Sequence, residues 1–145
     1  MTLQLITINI RMNKTILFVE DDADDREFLS IAVSEVNPAV NVVFAENGVR
    51  ALEYLLKGKE NAELPCLIVL DLNMPYLDGK ETFKKIKNDL KLDEVPVIIF
   101  TSSHNPNDRL LFTSMGVEFI TKPDDFSYMG KIIGRMISMC RTDPN

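Results

Sequence analysis

The sequence predicts an α/β protein in which five parallel strands form a doubly wound sheet flanked by five helices. From Lys14 onwards, short β-rich apolar runs alternate with segments of helical periodicity, which is typical of βα units. A chain of 145 residues with 46% apolar content fits one globular domain with a single buried core. We place this domain at residues 14–141, between a flexible extension over 1–13 and a polar tail over 142–145.

The five strands are predicted from apolar runs rich in β-branched residues. They are Thr15 to Glu20, Asn41 to Ala45, Leu67 to Leu70, Val97 to Thr101 and Glu118 to Thr121. Strict alternation with helices predicts right-handed crossovers, so the functional site is expected beyond the carboxyl ends of the strands.

The first two helices are predicted from apolar spacing and capping residues. Asp24 or Asp25 can cap the first helix, whose apolar residues recur at helical spacing. Asn47 begins the second helix, and Gly58 is predicted to end it as a left-handed C-cap.

The last three helices follow the same logic. Asp78 can cap the third, and Asn105 followed by Pro106 predicts the start of the fourth, which Gly116 closes. The fifth helix follows Pro123 and carries an apolar stripe of core-facing spacing.

Composition excludes several classes of function. The net charge of −6 argues against binding to nucleic acid or to an anionic membrane. Cys66 and Cys140 are far apart in sequence and show no CxxC or Cys/His spacing, so neither a disulfide framework nor a zinc site is predicted and a reducing cytoplasm is expected. The first eleven residues lack the flanks of a signal peptide or membrane span.

Polar residues end four of the five strands. The first strand ends in Glu20-Asp21-Asp22, the third is followed by Asp71, the fourth ends in Thr101 and the fifth is followed by Lys122. Each residue alone is more often a cap, a turn or a solvated side chain. Because the carboxyl ends of parallel strands share one edge, their coincidence predicts a single site.

Clustered carboxylates predict a cation at this site. Two like charges about 4 Å apart cost roughly 4 kcal/mol at an effective dielectric constant near 20. Oxygen ligands without His or Cys favour Mg²⁺, with Mn²⁺ as the alternative. An aspartate surrounded by a metal, a lysine and a hydroxyl is equipped as a nucleophile for phosphoryl transfer, and Asp71 is the candidate.

At these residues the chain resembles the receiver domain of two-component response regulators. The motifs ILFVEDD, LIVLDLNMPYLDG, VIIFTSS and FITKP stand in the order and at separations similar to those of the family. The resemblance covers residues 14 to about 140 and implies the flavodoxin-like receiver fold with strand order 2-1-3-4-5.

The resemblance assigns roles to the acidic residues. Glu20 and Asp21 resemble the acidic pair that holds Mg²⁺, Asp71 the phosphoacceptor and Asn73 the residue whose backbone carbonyl completes the metal site. Asp22 is then a neighbour of the metal and no direct ligand. Glu20 stands where many members have Asp, a common replacement in the family.

The resemblance also assigns the responding residues. Thr101 resembles the hydroxyl that moves toward the phosphoryl group, Phe119 the aromatic switch residue, often Tyr, and Lys122 the lysine that pairs with the acceptor. The bond between Lys122 and Pro123 resembles one that is usually cis in the family. Phosphorylation then shifts the population toward a changed surface on the fourth helix, fifth strand and fifth helix.

The implied partners are a sensor histidine kinase or a phosphotransfer protein, and a downstream protein or second copy bound on that surface. The start EDDADDREFL and the core DLNMP are similar to those of stand-alone receivers that accompany phytochrome-type kinases. Arg109, Leu110 and Phe112 belong either to this surface or to the core.

Two alternatives and one refinement remain. A haloacid dehalogenase-type phosphohydrolase also uses an aspartate nucleophile, but Asn73 stands where its second acid is needed. A receiver-like adaptor that acts without phosphorylation is the other alternative. We also expect Asn73, Ser103 and His104 to influence the lifetime of the phosphoryl group, although a lone loop histidine is more often only solvated.

Overall fold

The computed structural model describes residues 14–140 and confirms the predicted sheet. All strand pairs are parallel, and the order is β2-β1-β3-β4-β5. The strands are β1 Thr15–Val19, β2 Asn41–Ala45, β3 Leu67–Leu70, β4 Val97–Thr101 and β5 Glu118–Thr121. The predicted extension 1–13 and tail 142–145 lie outside the described residues.

Five α-helices alternate with the strands as predicted. They are α1 Ala23–Val36, α2 Gly48–Asn61, α3 Gly79–Asn88, α4 Pro106–Ser114 and α5 Gly130–Ser138. A short 3₁₀ turn, Phe126–Tyr128, precedes α5. No helix in the described part of the chain is long and apolar enough to cross a membrane.

Two apolar layers cover the two faces of the sheet. One contains Leu55 of α2, Ile86 of α3 and Phe112 of α4, and the other contains Leu29 of α1 and Ile133 of α5. Because helices cover both faces, β1, β3 and β4 are buried at every position, and their sequences are apolar except for Thr15 and Thr101. The polar residues that follow the strands therefore collect at the carboxyl edge.

Two predicted helix ends are wrong. Asp22, rather than Asp24 or Asp25, caps α1, because its side chain accepts a hydrogen bond from the backbone N–H of Asp25. Helix α2 continues past Gly58 to Asn61, and Ala62 takes the left-handed C-cap with φ of 57°. Gly58 is needed for a different reason, since a Cβ there would lie 2.8 Å from the carbonyl oxygen of Glu63.

Two further predictions are corrected. The bond between Lys122 and Pro123 is trans, the form that X-Pro bonds favour by about 0.5–1 kcal/mol. Cys66 and Cys140 form a disulfide, with Cα atoms 4.8 Å apart. Their separation of 74 residues gave no signal of this contact, which arises because the end of α5 packs beside the start of β3.

Candidate functional site

Three carboxylates meet where β1 and β3 end. Oxygen atoms of Glu20, Asp21 and Asp71 all lie within 4.8 Å of one another. Glu20 and Asp71 are buried, whereas Asp21 is exposed to solvent. This arrangement confirms that the acidic residues predicted from separate motifs share one site.

The turn between β1 and α1 is held by its own side chains. Arg26 donates from Nη1 to the backbone carbonyls of Glu20, at 3.0 Å, and Asp21, at 2.9 Å. The backbone N–H of Asp22 donates to Oε2 of Glu20 at 3.2 Å. Asp22 itself is exposed and caps α1.

The turn after β3 is shaped by a close backbone approach. A Cβ on Gly79 would collide with the carbonyl oxygen of Asp71 and lie 2.6 Å from Cα of Leu72. Glycine is therefore required at the start of α3, which lies against the backbone that follows β3. Asn73 is exposed, and its backbone N–H donates to Oδ1 of Asp71 at 3.4 Å.

Lys122 reaches into the acidic cluster from the end of β5. Its Nζ lies 2.7 Å from Oε1 of Glu20, 3.1 Å from Oδ2 of Asp71 and 3.0 Å from Oδ2 of Asp25. Its side chain is only 8% exposed. The backbone N–H of Lys122 donates to the carbonyl oxygen of Thr101, which ties this residue to β4.

The crowding of these charges shifts two pKa values. Burial raises the pKa of Glu20 to about 7, and this effect outweighs the ion pair with Lys122. Burial opposes the charge on Lys122, but the carboxylates of Asp71 and Glu20 and the hydrogen bond to Asp25 together raise its pKa above the ordinary value. The site thus has more negative charge than its single ammonium neutralises.

The hydroxyl residues after β4 lie at the same edge. Thr101 is fully buried, and its Oγ1 accepts a hydrogen bond from the backbone N–H of Ser103 at 3.3 Å. Ser103 donates from Oγ to Asp108 at 2.7 Å. Lys80 of α3 forms an ion pair with the same carboxylate at 2.7 Å, so the starts of α3 and α4 are joined beside this loop.

The predicted switch residue is packed inward in this structure. Phe119 is 8% exposed, and the guanidinium carbon of Arg109 lies 4.8 Å from the centre of its ring. Arg109 also donates to Oγ1 of Thr121 at 2.9 Å. Phe112 is buried beside Phe119 and belongs to the core. Leu110 is 65% exposed and belongs to the surface.

An open cleft adjoins the acidic cluster. It has a volume of about 560 Å³, and its walls include Asp25, Lys122 and His104. His104 is exposed and stands on the loop between β4 and α4. The cleft therefore borders the acidic cluster on the side of Asp25 and Lys122.

Comparison with known proteins identifies the family. The sequence model described as "Response regulator receiver domain" matches residues 16–133. The chain belongs to the response regulator receiver domain family. This finding confirms the resemblance inferred from the four motifs and the predicted fold.

Individual relatives of this receiver domain match along most of the chain. Response regulator Rcp1 of Synechocystis is 30% identical over 123 residues, covering 83% of this chain and 84% of Rcp1. The crystal structure of the phosphorylated cyanobacterial phytochrome response regulator RcpA has a TM-score of 0.79 at 31% identity, covering 92% and 99% of the two chains. The Mn²⁺-bound form of Rcp1 has a TM-score of 0.70 at 31% identity, covering 86% and 91%.

The receiver domain thus resembles stand-alone response regulators of phytochrome systems. Its acidic cluster provides the donor set of a divalent metal site, because hard cations prefer carboxylate oxygens. Sequence reasoning missed two residues that shape this site, Asp25 and Arg26. The motif EDDADDREFL contains both. Arg26 contacts backbone carbonyls only five and six residues away, whereas the contact of Asp25 with Lys122 becomes visible only once α1 is placed against the end of β5.

Proposed function

We propose that this receiver domain accepts a phosphoryl group on Asp71 from a histidine kinase or a phosphotransfer protein. The observation that carries the proposal is the convergence of Glu20, Asp21, Asp71 and Lys122 at one edge of the sheet. In the transfer, a carboxylate oxygen of Asp71 bonds to phosphorus while the P–N bond of a phosphohistidine breaks. The released imidazole takes a proton from solvent.

The residues present fit a magnesium ion. Glu20, Asp21 and Asp71 would hold it, together with the backbone carbonyl of Asn73, and Mn²⁺ is the alternative ion. When bound, the ion neutralises developing negative charge on the transferred group. The Mn²⁺-bound structure of the relative Rcp1 supports a divalent ion in this family without choosing between the two.

Lys122 and Thr101 would act directly on the transferred group. The ammonium of Lys122 already lies 3.1 Å from Asp71, close enough to pair with a phosphoryl oxygen once the carboxylate is modified. The Thr101 hydroxyl can donate a hydrogen bond to the same group. Attack of water on phosphorus would hydrolyse the phosphorylated Asp71 and restore the free carboxylate. Exclusion of water from the site would slow this hydrolysis.

The output is a change of surface. In the proposed switch, Thr101 moves toward the phosphoryl group and Phe119 repacks, which shifts the face formed by α4, β5 and α5. Leu110 on α4 is 65% exposed, so α4 offers apolar surface to a downstream protein or to a second copy of the chain. The proposed donor implies a cytoplasmic location, whereas the disulfide between Cys66 and Cys140 is typical of oxidising compartments.

The test is intact-protein mass after incubation with acetyl phosphate, with and without Mg²⁺, on wild type and Asp71→Asn. We expect a Mg²⁺-dependent gain of one phosphoryl group that the variant does not show. No gain by folded wild-type protein, with Mg²⁺ binding demonstrated, would favour the adaptor that acts without phosphorylation. Steady release of phosphate from simple phosphomonoesters would instead favour the phosphohydrolase alternative.

The lifetime of the phosphoryl group is a separate prediction. Asn73 and His104 are exposed beside the site, and Ser103 is engaged with Asp108. We expect substitution of Asn73, Ser103 or His104 by Ala to change the dephosphorylation rate, because side chains there shield or position the attacking water. Unchanged rates in all three variants would remove this role.

A further inference from the structure

Lys122 has a third carboxylate partner that the family motifs do not name. Asp25, in the first turn of α1, places Oδ2 at 3.0 Å from Nζ of Lys122, comparable to the distance to Asp71. The contact joins residues 97 positions apart in sequence. The Asp25 side chain is 27% exposed, and its backbone N–H is fixed by the cap residue Asp22.

The three partners of Lys122 differ in their relation to the acidic cluster. Glu20 and Asp71 belong to the cluster of oxygens within 4.8 Å, whereas Asp25 does not. A divalent cation in the cluster and the ammonium of Lys122 therefore compete for the same two carboxylates. They also repel each other, since both are positive. Asp25 is the partner of Lys122 that a cation in this cluster leaves free.

We propose that Asp25 is a positioning residue that holds the Lys122 ammonium beside Asp71 while a divalent cation occupies Glu20, Asp21 and Asp71. The proposal rests on the function proposed above. By forming an ion pair with the ammonium of Lys122, Asp25 offsets the repulsion between the lysine and the cation. Both positive groups can then act on the same phosphoryl group. Its place on a helix, rather than on a loop, gives the position the rigidity that such a role needs.

A plain helix-capping role is the competing explanation. Acidic residues in the first turn of a helix are favourable because of the helix dipole, and Asp24 and Asp25 both lie in the first turn of α1. Asp24 is exposed, so Asp24→Asn removes the same charge from the same turn without removing a contact to Lys122. It is the matched control for Asp25→Asn.

The first measurement is Mg²⁺ affinity by calorimetry on the full chain. Removing a residue that orients a group at a metal site typically costs tenfold or more in affinity. We therefore expect Asp25→Asn to raise the Kd for Mg²⁺ about tenfold, Asp24→Asn to change it less than about twofold, and Asp25→Glu to restore much of the loss. Asp25→Ser serves as a second variant, and thermal melts verify folding.

The second measurement is the rate of phosphorylation by acetyl phosphate at saturating Mg²⁺. Asp25→Asn should lower the maximal rate, in addition to raising the Mg²⁺ concentration needed for half-saturation, because Lys122 is then less well placed. Equal behaviour of Asp25→Asn and Asp24→Asn, or a loss that Asp25→Glu does not relieve, would overturn the proposal. If wild type takes up no phosphoryl group, the proposed function fails, while the Mg²⁺ titration still decides the role of Asp25.

Discussion

The buried carboxyl of Glu20 makes the stability of the metal-free protein depend on pH. Its pKa rises from the ordinary 4.5 to about 7 because burial disfavours the ionised form. The folded protein therefore binds this proton more tightly than the unfolded chain does. The contribution to folding is fully present below about pH 4.5 and is lost as the pH rises through about 7.

The magnitude follows from the interval between the two pKa values. At roughly 1.4 kcal/mol per pH unit, the interval from 4.5 to about 7 corresponds to on the order of 3 kcal/mol. From about pH 5 to about pH 8, the linkage between proton binding and folding lowers the free energy of unfolding of wild type by roughly 2.5 kcal/mol relative to Glu20→Gln, which has no carboxyl to ionise. The free energy of unfolding of the variant, relative to that of wild type, should thus increase as the pH rises.

The assay is urea unfolding of both proteins with a chelator present, at several pH values across this range. Saturating Mg²⁺ should reduce the stability difference between wild type and Glu20→Gln at high pH, since the cation pairs with the ionised carboxylate of wild type and stabilises its folded state by mass action. Parallel stability curves for wild type and Glu20→Gln in chelator would refute the reasoning. A difference of the opposite sign would show that the ion pair with Lys122 outweighs burial.

Three other substitutions probe the fold around the site. Phe112→Ala should cost about 3–5 kcal/mol and lower the Tm by about 10 °C, because Phe112 is 1% exposed, whereas Leu110→Ala on the same helix should change the Tm little. Gly79→Ala should weaken Mg²⁺ binding in calorimetry, because the new Cβ displaces the backbone of Asp71 and Leu72 after β3. Cys140→Ser should lower the free energy of unfolding by about 4 kcal/mol without reductant, the chain-entropy value for a loop of 74 residues closed by Cys66, and have little effect with reductant present.

The sheet was predictable because each strand is a short apolar run bounded by polar residues. Four strands have the predicted bounds, and β1 ends at Val19, one residue before the predicted end at Glu20. The helix starts at Asn47, Asp78 and Asn105 were also predicted, since a side chain that caps a helix acts within a few residues of it. Local chemistry sufficed for these strands and helix starts.

Two contacts that were not predicted depend on residues far apart in sequence. The sulfur contact of Cys66 with Cys140 and the contact of Asp25 with Lys122 join distant parts of the chain, and nothing near either residue in sequence specifies its partner. Gly58 was misread because a glycine near a helix end suggests a left-handed cap. Here its missing Cβ instead makes room for the returning chain.

The charge balance of the site connects its stability to its response. Three carboxylates, those of Glu20, Asp25 and Asp71, pair with the ammonium of Lys122, and Asp21 adds a fourth beside Glu20 and Asp71, so the formal charge is strongly negative when all are ionised. Burial, with a smaller contribution from the charge of Asp71, raises the pKa of Glu20 and destabilises the metal-free fold as the pH rises. The excess of negative charge favours binding of a divalent cation, and an ammonium already held among the carboxylates can follow a phosphoryl oxygen without a large rearrangement. In the proposed mechanism, the burial and the negative charge that weaken the metal-free site are therefore what make it responsive to a cation and a phosphoryl group.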